Sequence, residues 1–395
     1  MTIKAIIVGE SSVIRLCTAR AIGMAGYSVD IVRIGRKRGK NVKAPDYFCK
    51  YVDDYFFFDE TGSVSLPDFL IEKYKDCGQK PVLFTLSDKA THIVDEDRSR
   101  LGEFFIFAHL KNDGSLSELM DKHFMKQQAA AAGLSVVKGW PIKYDGSEFA
   151  IPEDIQYPCF VKGLYSYWNS KDIQRKCDNR EELVALSQSC KSIYPHSLYA
   201  EEYAEIEREM GIMGLCDGEA AIIPAKTELV VMGEGKNHGV SILGRVEPLG
   251  EKDRIKKKIE SLVTKLGYVG IFNIDFMVSN GEVFFVELNL RYATYGYGIY
   301  KAGVNIPALF IGVSNNRMIL PSPNRIEEEC TYLNEEIAYS NILDRKLSLR
   351  RYKEIKKRAD IRFVYSASDP RPMICLRTRF VLQSLLLLIK RRSRR

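Results

Sequence analysis

The chain has 395 residues, 46% hydrophobic and 28% charged, with a formal net charge of +7. That length exceeds one ordinary core and points to two or three packed units of a soluble globular protein. The nine cysteines are odd in number, scattered and without a C-x-x-C pair, which argues against a disulfide framework or a thiolate zinc site and suits a reducing cytoplasm. Much of the basic excess lies in residues 252–258 and from Arg345 onward, not on one mixed basic and aromatic surface, so nucleic acid is not an expected partner. The N-terminus lacks the pattern of an export signal, so export is not expected.

In chain order, Ile3 to Val8 is a short apolar run, Val13 to Met24 has helical spacing, Gly26 stops it, and Val29 to Ile34 resumes strand character; this is the start of an α/β unit with a parallel sheet. Gly9 lacks the two further glycines that a dinucleotide turn needs. Pro81 to Leu86 reads as another buried strand, and Asp88 just beyond it reads as a helix cap, although ligands of open α/β sheets gather at such strand ends. Ser117 is expected to cap a helix through Leu119, Phe124 and Ala129 to Ala132, closed by Gly133. Strands at Ser135 to Val137, Cys159 to Lys162 and Ser197 to Tyr203, with a polar helix near Arg180 to Cys190, look like a small α+β insertion. Residues 251–266 form an amphipathic helix with a lysine-rich solvent face, stopped by Gly267.

Two strand-like runs, Gly270 to Ser279 and Val283 to Arg291, flank Asn280-Gly281, the strongest hairpin signal in the chain. A two-residue loop would place Glu287 and Asn289 on the face of Phe272, Ile274 and Phe276, where charge is costly. A three-residue loop with a bulge instead sets Asp275 opposite Glu287 and Asn273 opposite Asn289. One face then carries Phe272, Ile274, Phe276, Val278, Phe284, Val286, Leu288 and Leu290, the other Asn273, Asp275, Glu287, Asn289 and Arg291. Two carboxylates and a carboxamide are hard oxygen donors suited to magnesium completed by water and phosphate, and Arg291 can add a planar cation for a phosphoryl or carboxylate group. An ordinary solvated hairpin face with a cross-strand ion pair is the alternative.

Asp275 followed by the E-x-N-x-R run Glu287, Asn289, Arg291 resembles the metal-binding end of the ATP-grasp family. The resemblance extends over residues 1–315 and is strongest from Lys122 to Pro307. It implies an α/β class chain with an ATP-grasp fold: an α/β N-terminal pre-ATP-grasp domain (1–115), an α+β lid subdomain (116–199), an α+β metal-binding catalytic subdomain (200–315) and a C-terminal extension (316–395). It implies that Lys122 and Lys162 contact nucleotide phosphates, that Glu201, Glu202, Tyr203 and Ala204 form the adenine hinge, and that Glu209, with Glu207 as its rival, meets the ribose. Asp275, Glu287 and Asn289 would hold magnesium, with manganese as an alternative, and ATP would transfer its γ-phosphate to a carboxylate. An amine would attack the acyl phosphate while Arg291 stabilises the oxyanion. Lys162 is followed by Gly-Leu-Tyr-Ser-Tyr-Trp-Asn-Ser-Lys in place of the family's frequent glycine-rich loop. Trp168 and Tyr165 could close the site instead, as in ligases resembling D-aspartate ligase that act on cell-envelope precursors; lid packing is the other reading of Trp168. Tyr292 to Lys301 is expected to form a loop lining the acceptor pocket, with Arg245 and Lys301 as substrate anchors.

The expected function is therefore a cytoplasmic carboxylate-amine ligase acting on small molecules, with room for a homodimer. A carboxylase, a kinase-like enzyme and a non-catalytic ATP-binding protein are the alternatives. The ten residues Phe380 to Ile389, before Lys-Arg-Arg-Ser-Arg-Arg, are too few to span a bilayer. They could lie in the interface at the inner face of the membrane or form a docked helix with a frayed basic end.

Overall fold

Apolar strands alternating with helices at the N-terminus give β1 (Lys4–Gly9), α1 (Ser12–Gly23), β2 (Ser28–Gly35), β3 (Asp54–Asp59), α2 (Leu66–Tyr74), β4 (Val82–Thr85), α3 (Asp88–Glu96) and α4 (Arg98–Leu101). The computed structural model describes residues 3–37, 42–168, 170–237, 239–250, 252–315 and 325–392. The strands form a parallel sheet in the order β3-β2-β1-β4, and β1 and β2 are buried nearly end to end, as parallel strands covered on both faces are.

Next come β5 (His109–Leu110), α5 (Lys122–Ala131), β6 (Ser135–Val136), β7 (Gly139–Tyr144), β8 (Phe149–Ala150), β9 (Cys159–Gly163), β10 (Arg175–Cys177), α6 (Arg180–Ile193) and β11 (Leu198–Glu202). A second sheet has the order β10-β9-β11-β7-β8, with Ile142, Val161, Leu183, Leu186 and Leu198 in its core. Ser117 does not cap α5: Asp121 does, its carboxylate accepting from His123 N and Phe124 N, while residues 118–120 form a separate 3-10 turn. A carboxylate at the cap also meets the positive end of the helix dipole.

The remainder is β12 (Arg208–Asp217), β13 (Ala221–Met232), β14 (Ser241–Pro248), α7 (Arg254–Lys265), β15 (Tyr268–Ser279), β16 (Glu282–Asn289), α8 (Gly296–Lys301), α9 (Ile306–Ser314), β17 (Cys330–Leu333), α10 (Glu335–Leu343), α11 (Leu349–Arg358), β18 (Ile361–Arg362) and α12 (Arg371–Arg392). The large sheet runs β18-β17-β14-β13-β12-β15-β16-β6, with β5 also on β15. Ser135–Val136 thus joins the large sheet beside β16. One face of this sheet packs Phe272, Ile274 and Phe276 with Met125 of α5 and Ile259 of α7. The other shares Met213, Ala225, Val246 and Ile271 with α8, α9 and α1.

Two arginines of α1 are fully buried, which apolar spacing did not foreshadow. Arg15 Nε donates to Asp46 Oδ2 at 2.7 Å. Arg20 Nε donates to Asp369 Oδ2 at 2.9 Å, and its Nη atoms donate to the carbonyl oxygens of Phe363, Val364 and Asp369 at 2.9–3.0 Å. Every side of that guanidinium is used, and the segment leading into α12 is pinned to the first helix. Arg20→Ala leaves Asp369 buried without its partner, a loss of about 3–5 kcal/mol. The expected outcome is a lower melting temperature and faster proteolysis after Phe363; an unchanged melting curve would contradict this account.

Candidate active site

The site begins with the β15–β16 hairpin. Asn280 (φ 50°) and Gly281 (φ 74°) adopt the left-handed conformations of a two-residue turn, so Ser279 faces Glu282. The three-residue loop expected from the sequence is not there. The extra residue enters further along, where Phe276 pairs with Phe285 but Asp275 pairs with Glu287, leaving Val286 as a bulge. The consequence for the polar residues is as expected: Asp275 stands opposite Glu287 and Asn273 opposite Asn289. The consequence for the apolar ones differs. Phe285, not Phe284, enters the core beside Phe276, and Phe284 pairs with Met277 on the other face.

Asp275 accepts hydrogen bonds from Asn289 Nδ2 at 3.0 Å and Asn273 Nδ2 at 3.3 Å. Burial and the facing Glu287 push its carboxyl up to about 7, against the opposing pull of Arg291. Tyr295 O–H donates to Asn273 Oδ1. Gly211 of β12 lies across from Asp275, and a methyl group there would meet Tyr295 Oη at 2.5 Å, so glycine is what admits this tyrosine. Arg291 donates to Asn289 Oδ1 at 3.2 Å and grips Asp88 with Nε at 2.8 Å and Nη2 at 3.1 Å. Asp88 is not the helix cap that the sequence suggested; Ser87 accepts the capping bond from Ala90 N, which frees Asp88 for Arg291.

Lysines gather on the neighbouring side. Lys122, first residue of α5, is buried and donates to Ser166 Oγ at 3.2 Å; with Ser166 and Glu287 it lines one small cavity. Burial lowers its pKa, while Glu287 is the foremost charge holding it up. Lys162 of β9 donates to Glu201 Oε1 at 2.8 Å, and Lys126 donates to Glu201 Oε2 at 2.5 Å. Burial would raise the Glu201 carboxyl, but Lys162 and Lys126 outweigh it and hold it at about 2. Lys126 was not singled out from the sequence; its signal was its place one turn after Lys122 on the same helix face.

The remaining expected residues separate. Glu202 and Tyr203 are exposed, with their N–H groups given to Lys138 O and Pro158 O, and Ala204 follows, half-buried. Glu209 lies within β12 opposite Met277, on the Asp275 face, whereas Glu207 is exposed just before the strand. Trp168 stacks on His196 at 4.0 Å, within the part of the chain that carries it. The ring that reaches across is Tyr167, stacked on His92 of α3 at 3.8 Å. Leu164 O accepts from Lys122 N and Met120 O accepts from Ser166 N, so the loop after Lys162 is laced to the entry of α5.

Arg245 does not join the cluster. Across the sheet Asp275, Gly211, Thr227 and Val246 are in line, so Arg245, next to Val246, projects from the opposite face, where it pairs with Glu228 and Glu247. Tyr292 to Lys301 is no open loop: Tyr292 and Tyr297 are core side chains and 296–301 is helix α8. Lys301 ends that helix exposed, its ammonium 5.9 Å from the Tyr300 ring centre, and the Tyr300 hydroxyl reaches Met24 beside α1.

Among the described residues no group of three or more His, Cys, Asp and Glu side chains is spaced to hold a metal; on this face the oxygen donors are the two carboxylates of Asp275 and Glu287 and the carboxamide of Asn289. Oxygen donors of this kind fit a hard divalent cation that takes its other ligands from water and phosphate, and two facing half-buried carboxylates leave negative charge for such a cation to offset beyond what Arg291 and Lys122 supply. The pH dependence follows. Between the ordinary 3.8 and about 7 the folded protein retains a proton on Asp275 that the unfolded chain has lost, so metal-free stability falls as pH rises through that window. Asp275→Asn in chelator should melt roughly 2–4 °C above the parent at pH 8 and level with it near pH 4. Added magnesium should raise the parent only. A constant difference at both pH values would contradict the assignment.

Residues 121–294 match the family model described as carbamoyl-phosphate synthase L chain, ATP binding domain. The arginine-specific large chain of carbamoyl phosphate synthase from Bacillus subtilis is 28% identical over 180 residues, 45% of this chain. The chain spans 17% of that relative's length. Among solved structures, a biotin carboxylase complex from Campylobacter jejuni superposes with a TM-score of 0.63 at 19% identity, covering 83% of this chain and 75% of that one. An L-amino acid ligase from Bacillus licheniformis gives 0.59 at 14%, covering 84% and 79%. N5-carboxyaminoimidazole synthetase from Staphylococcus aureus gives 0.58 at 16%, covering 84% and 82%. At these identities the likeness to solved structures is one of fold, the ATP-grasp fold, and the sequence match over residues 121–294, less than half of the chain, lies within it.

Proposed function

We propose that the chain is an ATP- and magnesium-dependent carboxylate-amine ligase working through an acyl phosphate. The observation that carries this reading is the opposition of Asp275 and Glu287, with Asn289 on the same face and Arg291 bonded to it, beside a lobe of buried lysines. The two lobes have opposite charge. Lys122, Lys126 and Lys162 exceed Glu201 on one side, and Asp275, Glu287 and Asp88 exceed Arg291 on the other. A polyphosphate bridged to a divalent cation has the complementary distribution.

Lys122 and Lys162 bind the phosphates, Glu201 holding Lys162 in place. Glu202, Tyr203 and Ala204 hold the adenine, and Glu209 the ribose. Magnesium on Asp275, Glu287 and Asn289 supplies charge neutralisation to the γ-phosphoryl group when bound. Arg291, oriented by Asp88, stabilises the oxygen that becomes negative when the amine attacks the acyl phosphate. Tyr167 on His92 holds the loop after Lys162 closed and keeps water from the acyl phosphate.

The division into units at 1–115, 116–199, 200–315 and 316–395 belongs to the same reading. The L-amino acid ligase among the structural neighbours supports an amino acid as one substrate, and an amine on a cell-envelope precursor is our candidate for the other. Such an acceptor suits a cytoplasmic enzyme working near the membrane.

Carboxylation is the second reading, favoured by the biotin carboxylase likeness. Screening amino acids, envelope-type amines and bicarbonate for ATP-dependent phosphate release separates the two, since a ligase releases phosphate only when the amine is present. Asp275→Ala and Glu287→Ala should each reduce that release by at least about 100-fold, as expected for loss of a ligand to transition-state charge. Retained release in both variants overturns the mechanism.

A further inference from the structure

Helix α12 has two halves with different surroundings. In the first, Met373 and Leu376 are buried, Cys375 Sγ donates to Lys43 O, and Phe380 packs on Tyr339 of α10 with ring centres 4.6 Å apart. In the second, Val381, Leu382, Leu385, Leu386, Leu388 and Ile389 are each more than half exposed, and Leu387 is 37% exposed. Five consecutive apolar residues from Leu385 to Ile389 turn through more than a full circle at about 100° per residue, so no single neighbouring helix could cover them. An exposed surface of this kind in a folded protein marks an interaction site.

Charge identifies the occupant. From Arg345 to Arg395 the sequence holds 17 Lys and Arg against three Asp and Glu, an excess twice the +7 of the whole chain. The basic residues of α11, among them Arg350, Lys353, Lys356 and Lys357, are exposed, while its inner face buries Tyr352 and Ile355. Tyr352 packs on Tyr339 at 5.4 Å, so one tyrosine ties the root of the basic helix to the middle of the apolar one. A second copy of this surface would be repelled by its own charge, whereas anionic lipid attracts it.

By length and composition Arg371–Ile389 would suffice to cross a membrane. Its first half, however, is docked on protein. The nine residues from 381 to 389 reach about 14 Å, roughly half of the hydrocarbon core. We propose that α11 and the free half of α12 form a monotopic docking surface for an anionic bilayer. The leucines enter the acyl boundary of one leaflet, and the basic residues of α11 lie among headgroups.

Co-sedimentation of the full chain with phosphatidylcholine vesicles, with and without phosphatidylglycerol, tests this. Binding to the anionic vesicles should exceed binding to the neutral ones at least about tenfold and weaken with salt. Leu385→Glu with Leu388→Glu should abolish it, and Lys353→Glu with Lys357→Glu should lower it about tenfold. All four side chains are exposed, so melting temperatures should not change. Absence of binding by the parent, equal binding by all three proteins, or concentration-dependent self-association lost in the leucine variant without vesicle binding overturns the proposal, the last in favour of a second copy.

Discussion

The site depends on a one-residue offset within the β15–β16 pair. At the turn the hairpin is in the register of a two-residue loop, and at the polar end it is one residue out of that register, with Val286 taking up the difference. Without the bulge Asp275 and Glu287 would project from opposite faces, because side chains alternate along a strand. With it, two negative charges meet across adjacent strands while Phe276 and Phe285 still meet in the core. The core and the polar face impose different registers, and the bulge satisfies both.

Burying so many ionised groups requires each to find a partner. Glu201 divides its carboxylate between two lysines, and Arg291 gives Asp88 both arms of its fork. Each arrangement also fixes a geometry: the first ties α5 to two strands of the second sheet, the second ties the hairpin to the carboxyl end of β4. Asp275 differs in its hydrogen bonds, which come from amide donors, while Arg291 and Lys122 act on the Asp275 and Glu287 pair through charge and no ion pair closes on either carboxylate among the described residues. In the proposed function that imbalance, set against the spare positive charge of the lysines, would make cation and polyphosphate binding mutually favourable: each would supply the charge that its own lobe lacks, and the two would attract each other across the site.

Much of this was legible in the sequence because its physics is local. Alternating polarity selected the face of Asp275, Glu287 and Asn289, and the short apolar strand, helix and Gly26 stop at the N-terminus gave β1, α1 and β2. The position of the extra hairpin residue was not legible, since a longer loop and a bulge sort the polar residues Asp275, Glu287 and Asn289 identically and differ in the apolar residues between turn and bulge, where Phe285 and not Phe284 is buried. Asp88 and Arg291 are 203 residues apart, and a strand-end aspartate followed by a helix reads equally well as a cap. Lys126 looks like an ordinary helical lysine until Glu201 arrives from another element. Arg245 was misplaced because strand parity across three pairings cannot be followed without the intervening registers.

Helix α1 connects both ends of the molecule to the site. It follows β1, whose neighbour β4 leads to Asp88, and its Arg20 holds Asp369 at the start of the approach to α12. The bonds of Arg20 to Phe363, Val364 and Asp369 leave no flexible linker between the parallel sheet and the root of that helix. A surface that captures the free end of α12 would therefore fix the orientation of the whole sheet and, in the proposed function, the side from which a second substrate would reach Arg291. A protein tethered by a disordered tail would sample every orientation; this one, attached through a buried arginine, would present the candidate site at a constant angle to the surface that holds it.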